Sequence, residues 1–231
     1  MVKPKYKFYA TLLDSYQHYL KSDREEAFQE FINKVNRVPF TSEAANRGIA
    51  FNELLDSLLQ MAGSADCRKR RELEVYLDLP GEAGIRHGGF EFRKSIVEYF
   101  RERLTGSVCQ VFVKATLPTR YGDVELYGYI DNLLAGSALD VKTCNRYDFP
   151  KFNRNWQHIV YPYCLIQQGI SEEVSGQFTY EVTDFKDTYR EEYIYQAERD
   201  LPRLQSHCES LIEFLEQHRS RITDRKVFAL D

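Results

Sequence analysis

The pattern of apolar residues in this sequence predicts an α/β protein: a mixed β-sheet flanked by helices, with a helical elaboration at the N-terminal end. Three observations carry that expectation. Apolar positions recur at helical spacing through most of residues 1–105. Residues 109–143 read as three successive strands, and residues 174–221 read as two strands followed by a long amphipathic helix. One domain is expected over 1–231, with 1–105 its mainly helical part and 106–231 its sheet core.

Residues 1–9 are basic and aromatic and lead into a first helix starting at Ala10 or Thr11, with Leu12, Leu13, Tyr16, Tyr19 and Leu20 on one face. Ser22 or Asp23 caps a second helix through Phe28, Phe31, Ile32 and Val35, which Val38-Pro39-Phe40 ends. A third helix runs from Thr41-Ser42-Glu43 to about Met61, carrying Ile49, Phe51, Leu54, Leu55, Leu58 and Leu59. Arg70 to Leu77 reads as a short helix, the Gly-rich run from Leu79 to Gly89 as a loop, and Phe90 to Leu104 as an amphipathic helix.

The sheet core follows. Cys109–Leu117 and Tyr121–Asp131 are the first two strands, and Ala138–Thr143 lies beyond the turn at Ala135-Gly136-Ser137. A helix is expected over 152–168, strands over Val174–Thr183 and Tyr189–Tyr195, and a final helix over Ala197–Arg221.

Asp131 ends one strand, and Asp140 and Lys142 lie on its neighbour, two residues apart and therefore on one face. A tight hairpin brings Asp131 beside Asp140. Two adjacent carboxylates repel unless a positive charge lies between them, and Mg²⁺ suits such a site because one or two carboxylates and several waters hold it. Lys142 is placed to orient an attacking water or to stabilise phosphate oxygens. The competing account of Asp140 and Lys142 is a surface ion pair, worth little. Asp-x-Lys also occurs at Asp184-Phe185-Lys186 and Asp224-Arg225-Lys226, without a strand-borne Asp upstream of either.

Gly128-Tyr129-Ile130-Asp131, Asp140-Val141-Lys142-Thr143 and Gln157-His158-Ile159-Val160-Tyr161, in that order, resemble the PD-(D/E)xK nuclease superfamily, most closely its RecB-like and phage-exonuclease-like branch. Arg47-Gly48-Ile49-Ala50-Phe51-Asn52-Glu53-Leu54-Leu55 resembles the helix that precedes the sheet in that branch. The resemblance implies a restriction-endonuclease-like core and a Mg²⁺-dependent DNA nuclease, Mn²⁺ substituting, that is an exonuclease rather than a sequence-specific endonuclease. It implies catalytic Asp131, Asp140 and Lys142, and a metal held by Asp131, Asp140 and the Val141 carbonyl. Asn52 or Glu53 would be a further ligand. Many members have His where this chain has Asn52, and an Asn oxygen can ligate a hard cation but brings no charge. Gln157 and Tyr161, on one helix face, would contact the DNA backbone, with Thr143, Arg146 and Lys151 beside them. A DNA-binding or complex-forming module with a degenerate nuclease site is the alternative that Asn52 motivates. A homo-oligomer and a helicase or recombinase partner in DNA repair or recombination fit the resemblance.

Composition agrees with a folded protein: 29% charged, 43% hydrophobic and 14% aromatic residues in a chain of 231. No stretch is long and apolar enough to span a membrane, and an apolar leader is lacking at the start, so a cytoplasmic protein is expected. Five widely spaced Cys without a C-x-x-C read as reduced thiols and not as an iron–sulfur site. A net charge of −4 argues against general polyanion binding. DNA contact then needs local patches, for which Lys3, Lys5 and Lys7, the run Arg68-Lys69-Arg70-Arg71, and Lys142, Arg146, Lys151 and Arg154 are candidates. Trp156 is expected to pack between helix and sheet, and His158 to lie at the surface or behind the site.

Overall fold

A computed structural model describes residues 3–63, 74–79 and 82–230. The elements in chain order are β1 (Tyr6–Tyr9), α1 (Ala10–Leu20), α2 (Ala27–Val35), α3 (Glu43–Gly63), β2 (Glu74–Leu79), β3 (Glu82–His87), β4 (Phe90–Arg93) and α4 (Lys94–Leu104). Then follow β5 (Val108–Leu117), β6 (Val124–Leu134), β7 (Ser137–Thr143), α5 (Gln157–Gln167), α6 (Glu172–Ser175), β8 (Gln177–Thr183), β9 (Thr188–Ile194) and α7 (Ala197–Gln217). The main sheet has six strands in the order β1-β6-β7-β8-β9, with β5 also paired to β6. It is mixed: β1–β6 and β7–β8 are parallel, the other pairs antiparallel. The parallel β7–β8 step needs a crossover, and α5 supplies it.

Each face of the sheet carries its own core. On one face α1, α2, α5 and α7 bury Phe8, Leu126, Ile130, Phe178 and Tyr180. On the other, α3 and α4 pack Phe51, Leu54, Val97 and Phe100 against Leu139 and Val141 of β7. Glu181 of β8 is fully buried on that second face. It is tolerated because the Tyr99 hydroxyl donates to it at 3.1 Å, Arg103 Nε at 3.1 Å, and Arg190 Nε lies at 3.4 Å.

The N-terminal part is less helical than its sequence suggests. Tyr6–Tyr9 is a strand, held by parallel pairing with Val124–Tyr127. Glu74–Leu79 is a strand and not a helix, and the expected loop contains β3, paired with both β2 and β4 in a separate three-stranded sheet. The glycines there mark a tight hairpin: Gly88 and Gly89 have φ of 57° and 82°, the backbone that a two-residue turn requires. Phe90–Arg93 is strand before α4 begins, and Val174 lies in α6, so β8 starts at Gln177. The basic run Arg68-Lys69-Arg70-Arg71 lies outside the described residues.

α5 starts at Gln157, later than its sequence pattern suggests, because residues 147–152 are held by a buried acid. Glu191 of β9 accepts from Lys151 N at 2.8 Å, Phe152 N at 3.1 Å, the Tyr147 hydroxyl at 2.9 Å and the Tyr193 hydroxyl. All four of these hydrogen-bond partners are donors. Glu191→Gln puts an amide donor among them and is expected to cost about 2 kcal/mol. Urea denaturation checks this, and a loss below about 0.5 kcal/mol would mean the loop is held otherwise.

Trp156 packs as expected, its ring 4.3 Å from that of His207. His158 is not at the surface. It is buried, stacked on Tyr193 at 4.2 Å with Nδ1 3.4 Å from the Tyr180 hydroxyl, and burial pushes its pKa down to about 4.

Candidate active site

The site lies at a fork in the main sheet. β5 pairs along one edge of β6 from Val124 to Leu133, so β1 and β7 must share the other edge. β1 takes Val124–Tyr127. β7 takes only Asn132–Leu134, through a turn in which Ala135 and Gly136 have φ of 48° and 90°. Among the described residues, Gly128–Asp131 therefore has no strand on that side. Asp131 and Asp140 are the first residues beyond the last β6–β7 pair, Asn132 with Leu139.

The opening is filled by α5. A Cβ on Gly128 would sit 2.7 Å from Tyr161 Cε1, so only glycine lets the ring lie against β6. On the other edge, Gln110 of β5 has φ 53° and interrupts the pairing opposite Asp131. Side-chain alternation reverses there. Val111 and Ile130 face the first core, whereas Leu134 packs on the second and Asn132 Nδ2 donates to Ser107 Oγ at 3.0 Å. A ladder irregularity of this kind re-aims side chains next to active sites.

Asp140 is the hub of the cluster. It is 2% exposed. Gln157 Nε2 donates to its Oδ1 at 2.7 Å, and Lys142 Nζ lies 2.8 Å from Oδ2. That second contact is an ion pair without hydrogen-bond alignment, because Oδ2 takes no hydrogen bond. Burial disfavours the Lys142 ammonium, but Asp140, then Asp131 and Asp14, hold its pKa above the ordinary lysine value. Burial, then Asp140, raises the carboxyl of Asp131, opposed by Lys142 and by a hydrogen bond from Gln110. Asp14 of α1 is pushed to about 7, chiefly by burial, although the Trp156 N–H and Lys142 favour its charged form. The Tyr161 phenol is raised by burial and then by Asp140.

α3 closes the site from the opposite face. Gly48, Asn52 and Asp56 recur every four residues and form one line along the helix. A Cβ on Gly48 would come within 2.7 Å of Thr143 Oγ1, and Asp56 raises the carboxyl of Asp131. Asn52, between them, therefore faces the same end of the sheet. Glu53 does not: its side chain is 63% exposed and 3.8 Å from His87. Val141 sends its side chain into the second core, leaving its backbone for the site. Arg146 and Lys151 are exposed; Arg146 pairs with Asp148 at 3.1 Å, and Lys151 Nζ donates to the Arg146 carbonyl at 2.8 Å. Asp14 and Asp56 are the site acids that sequence reasoning missed. Each carried a signal: Asp56 is four residues after Asn52, and Asp14 interrupts the apolar run Leu12, Leu13, Tyr16.

The donor set suits a hard cation. Among the described residues, three buried side-chain oxygens lack a hydrogen bond: Asp140 Oδ2 and Gln157 Oε1 of this cluster, and Asn52 Oδ1 of the helix that closes it. Buried acceptors are normally satisfied, and a divalent ion with its waters would satisfy them here. No three His, Cys, Asp or Glu side chains among the described residues are grouped to hold a metal by themselves, so amide oxygens and water would complete the set. No helix among the described residues is long and apolar enough to cross a membrane.

No family model and no curated protein matches the chain. A solved structure titled "Crystal structure of SSO0001" is similar over 93% of this chain and 79% of that one, with a TM-score of 0.52 and 10% identity. At that identity the likeness is one of fold: helices flanking a mixed sheet.

Proposed function

We propose that this chain is a divalent-metal-dependent DNA nuclease on a restriction-endonuclease-like core, acting as an exonuclease. The observation that carries this reading is the meeting of Asp131, Asp140 and Lys142 at the fork, with unsatisfied oxygens around them. Asp131 and Asp140 would hold Mg²⁺ or Mn²⁺, with Asn52 and the Val141 carbonyl as further oxygen ligands. When bound, the ion supplies charge against the phosphate and makes water a better nucleophile. Lys142 keeps a fixed positive charge at Nζ, where it can orient the attacking water or stabilise phosphate oxygens as charge develops on them. Gln157 holds Asp140 in orientation. Tyr161, wedged on Gly128, fills the opening between β6 and β7 beside it.

The test is cleavage of end-labelled linear and closed circular DNA in Mg²⁺, Mn²⁺ or EDTA, with wild type and Asp140→Ala. The expected result is metal-dependent loss of linear DNA alone, absent in the variant. Nicking of the circle would make the chain an endonuclease. Cleavage by Asp140→Ala at the wild-type rate would remove the site assignment.

One observation favours a second reading, a DNA-binding or complex-forming module. Both Asp140 oxygens already face side chains, Lys142 and Gln157, and Asn52 adds no charge. Titration calorimetry separates the two, since the module reading requires no Mg²⁺ or Mn²⁺ binding at millimolar concentration.

A further inference from the structure

The second core covers β7 and β8 but leaves Phe112 of β5 and Tyr129 of β6 uncovered on the same face. Phe112 and Tyr129, directly paired across β5 and β6, are 48% and 56% exposed, with ring centroids 5.2 Å apart. Two residues back along β6, Tyr127 lies 5.9 Å from Tyr9 of β1 and pairs across the strands with Lys114. Arg37 sits 5.2 Å over the Tyr9 ring and donates to the Tyr127 hydroxyl at 3.0 Å. Asp224 pairs with Arg37 at 2.6 Å, whereas Lys114 makes no ion pair among the described residues. Large aromatic rings on a solvent-facing sheet need a reason.

We propose that this face, centred on Phe112 and Tyr129, is a stacking platform that leads single-stranded DNA up to the fork. The proposal rests on the nuclease reading for its destination, but not for its binding. Three observations choose the occupant. The rings are interleaved with cations, the combination that holds unpaired bases and their backbone. Residues two apart on a strand are roughly 6.8 Å apart, twice the roughly 3.4 Å base repeat of a duplex, so successive rings suit splayed bases. The platform also ends at the fork, on the face opposite Asp140 and Lys142: Tyr129 precedes Asp131 by two residues, and Phe112 follows Gln110, which hydrogen-bonds Asp131.

The experiment is fluorescence anisotropy in EDTA, with a labelled oligo-dT and a duplex of equal length. The proteins are wild type, Phe112→Ala, Tyr129→Ala, Phe112→Tyr and Lys142→Ala. Each alanine variant is expected to weaken oligo-dT binding at least about fivefold, with duplex binding unchanged and Phe112→Tyr close to wild type. Both side chains are exposed, so circular dichroism should show all variants folded. Wild type that does not bind oligo-dT, alanine variants that bind it normally, or equal loss on duplex would overturn the platform. So would a wild-type dimer that the alanine variants dissociate, because the face would then join two copies of this chain. Oligo-dT binding that depends on the rings, with no cleavage of DNA by wild type when Mg²⁺ or Mn²⁺ replaces EDTA, would retain the platform and remove the nuclease reading. Cleavage with ring-independent binding would do the reverse.

Discussion

Lys142→Ala is expected to reduce DNA cleavage by at least about 10²–10³-fold while leaving the fold in place. The side chain is 23% exposed and 2.8 Å from an Asp140 whose side chain is 3% exposed. Its charge is therefore fixed where, in the proposed reaction, a phosphate would approach the carboxylates. Deleting it also leaves Asp140 with Gln157 alone, and an unanswered buried charge is destabilising. The variant should be less stable than wild type in EDTA by about 2 kcal/mol, with part of that loss restored by Mg²⁺. Single-turnover cleavage and urea denaturation read the two effects separately. Unchanged cleavage with reduced stability would make the pair structural and end the catalytic assignment.

Asp131→Asn is expected to stabilise the metal-free protein at pH 8 by about 3 kcal/mol and to leave it unchanged near pH 3. The carboxyl of Asp131 is raised in the fold by burial and by Asp140. The folded protein then keeps its proton at pH values where the unfolded chain has lost it, so stability from this group falls as pH rises from the ordinary carboxylate range towards neutrality. The amide removes that loss. Mg²⁺ should reverse the order at pH 8, because ligand bound only by the folded wild type stabilises it by mass action. Denaturation of both proteins across pH, with EDTA and with Mg²⁺, gives the difference directly. A variant no more stable than wild type at pH 8 without metal would show that Asp131 and Asp140 do not share one buried site. Equal Mg²⁺ effects on both would place the ion elsewhere.

Local patterns were legible where local physics decides them. The apolar faces of α1, α3 and α7, except for the exposed Leu20 and Ile49, the alternation in β5, and the turn at Ala135-Gly136 all depend on neighbours within a few residues. β1 and the β2–β3–β4 sheet were not legible, because their backbone bonds are made with strands distant in sequence or hidden by a Gly-rich run read as loop. The surface alternative for His158 failed for a related reason. Its helix is buried all round, so period alone assigns no solvent face.

The sequence by itself determined the chemistry available: two strand-borne acids, a lysine two residues after the second, and Gln157 and Tyr161 at helical spacing. It also determined that the acids lie on neighbouring antiparallel strands, since a two-residue turn sets the register of a hairpin. Only the tertiary structure decided that β6 and β7 part immediately beyond Asn132 and Leu139, because β1 competes for the same edge of β6. Only it turned Asn52 towards the sheet and Glu53 to solvent, brought Asp14 and Asp56 to the acids, and left Phe112 and Tyr129 uncovered. Those outcomes depend on which helix covers which part of each sheet face, and burial of apolar area acts between elements far apart in the chain.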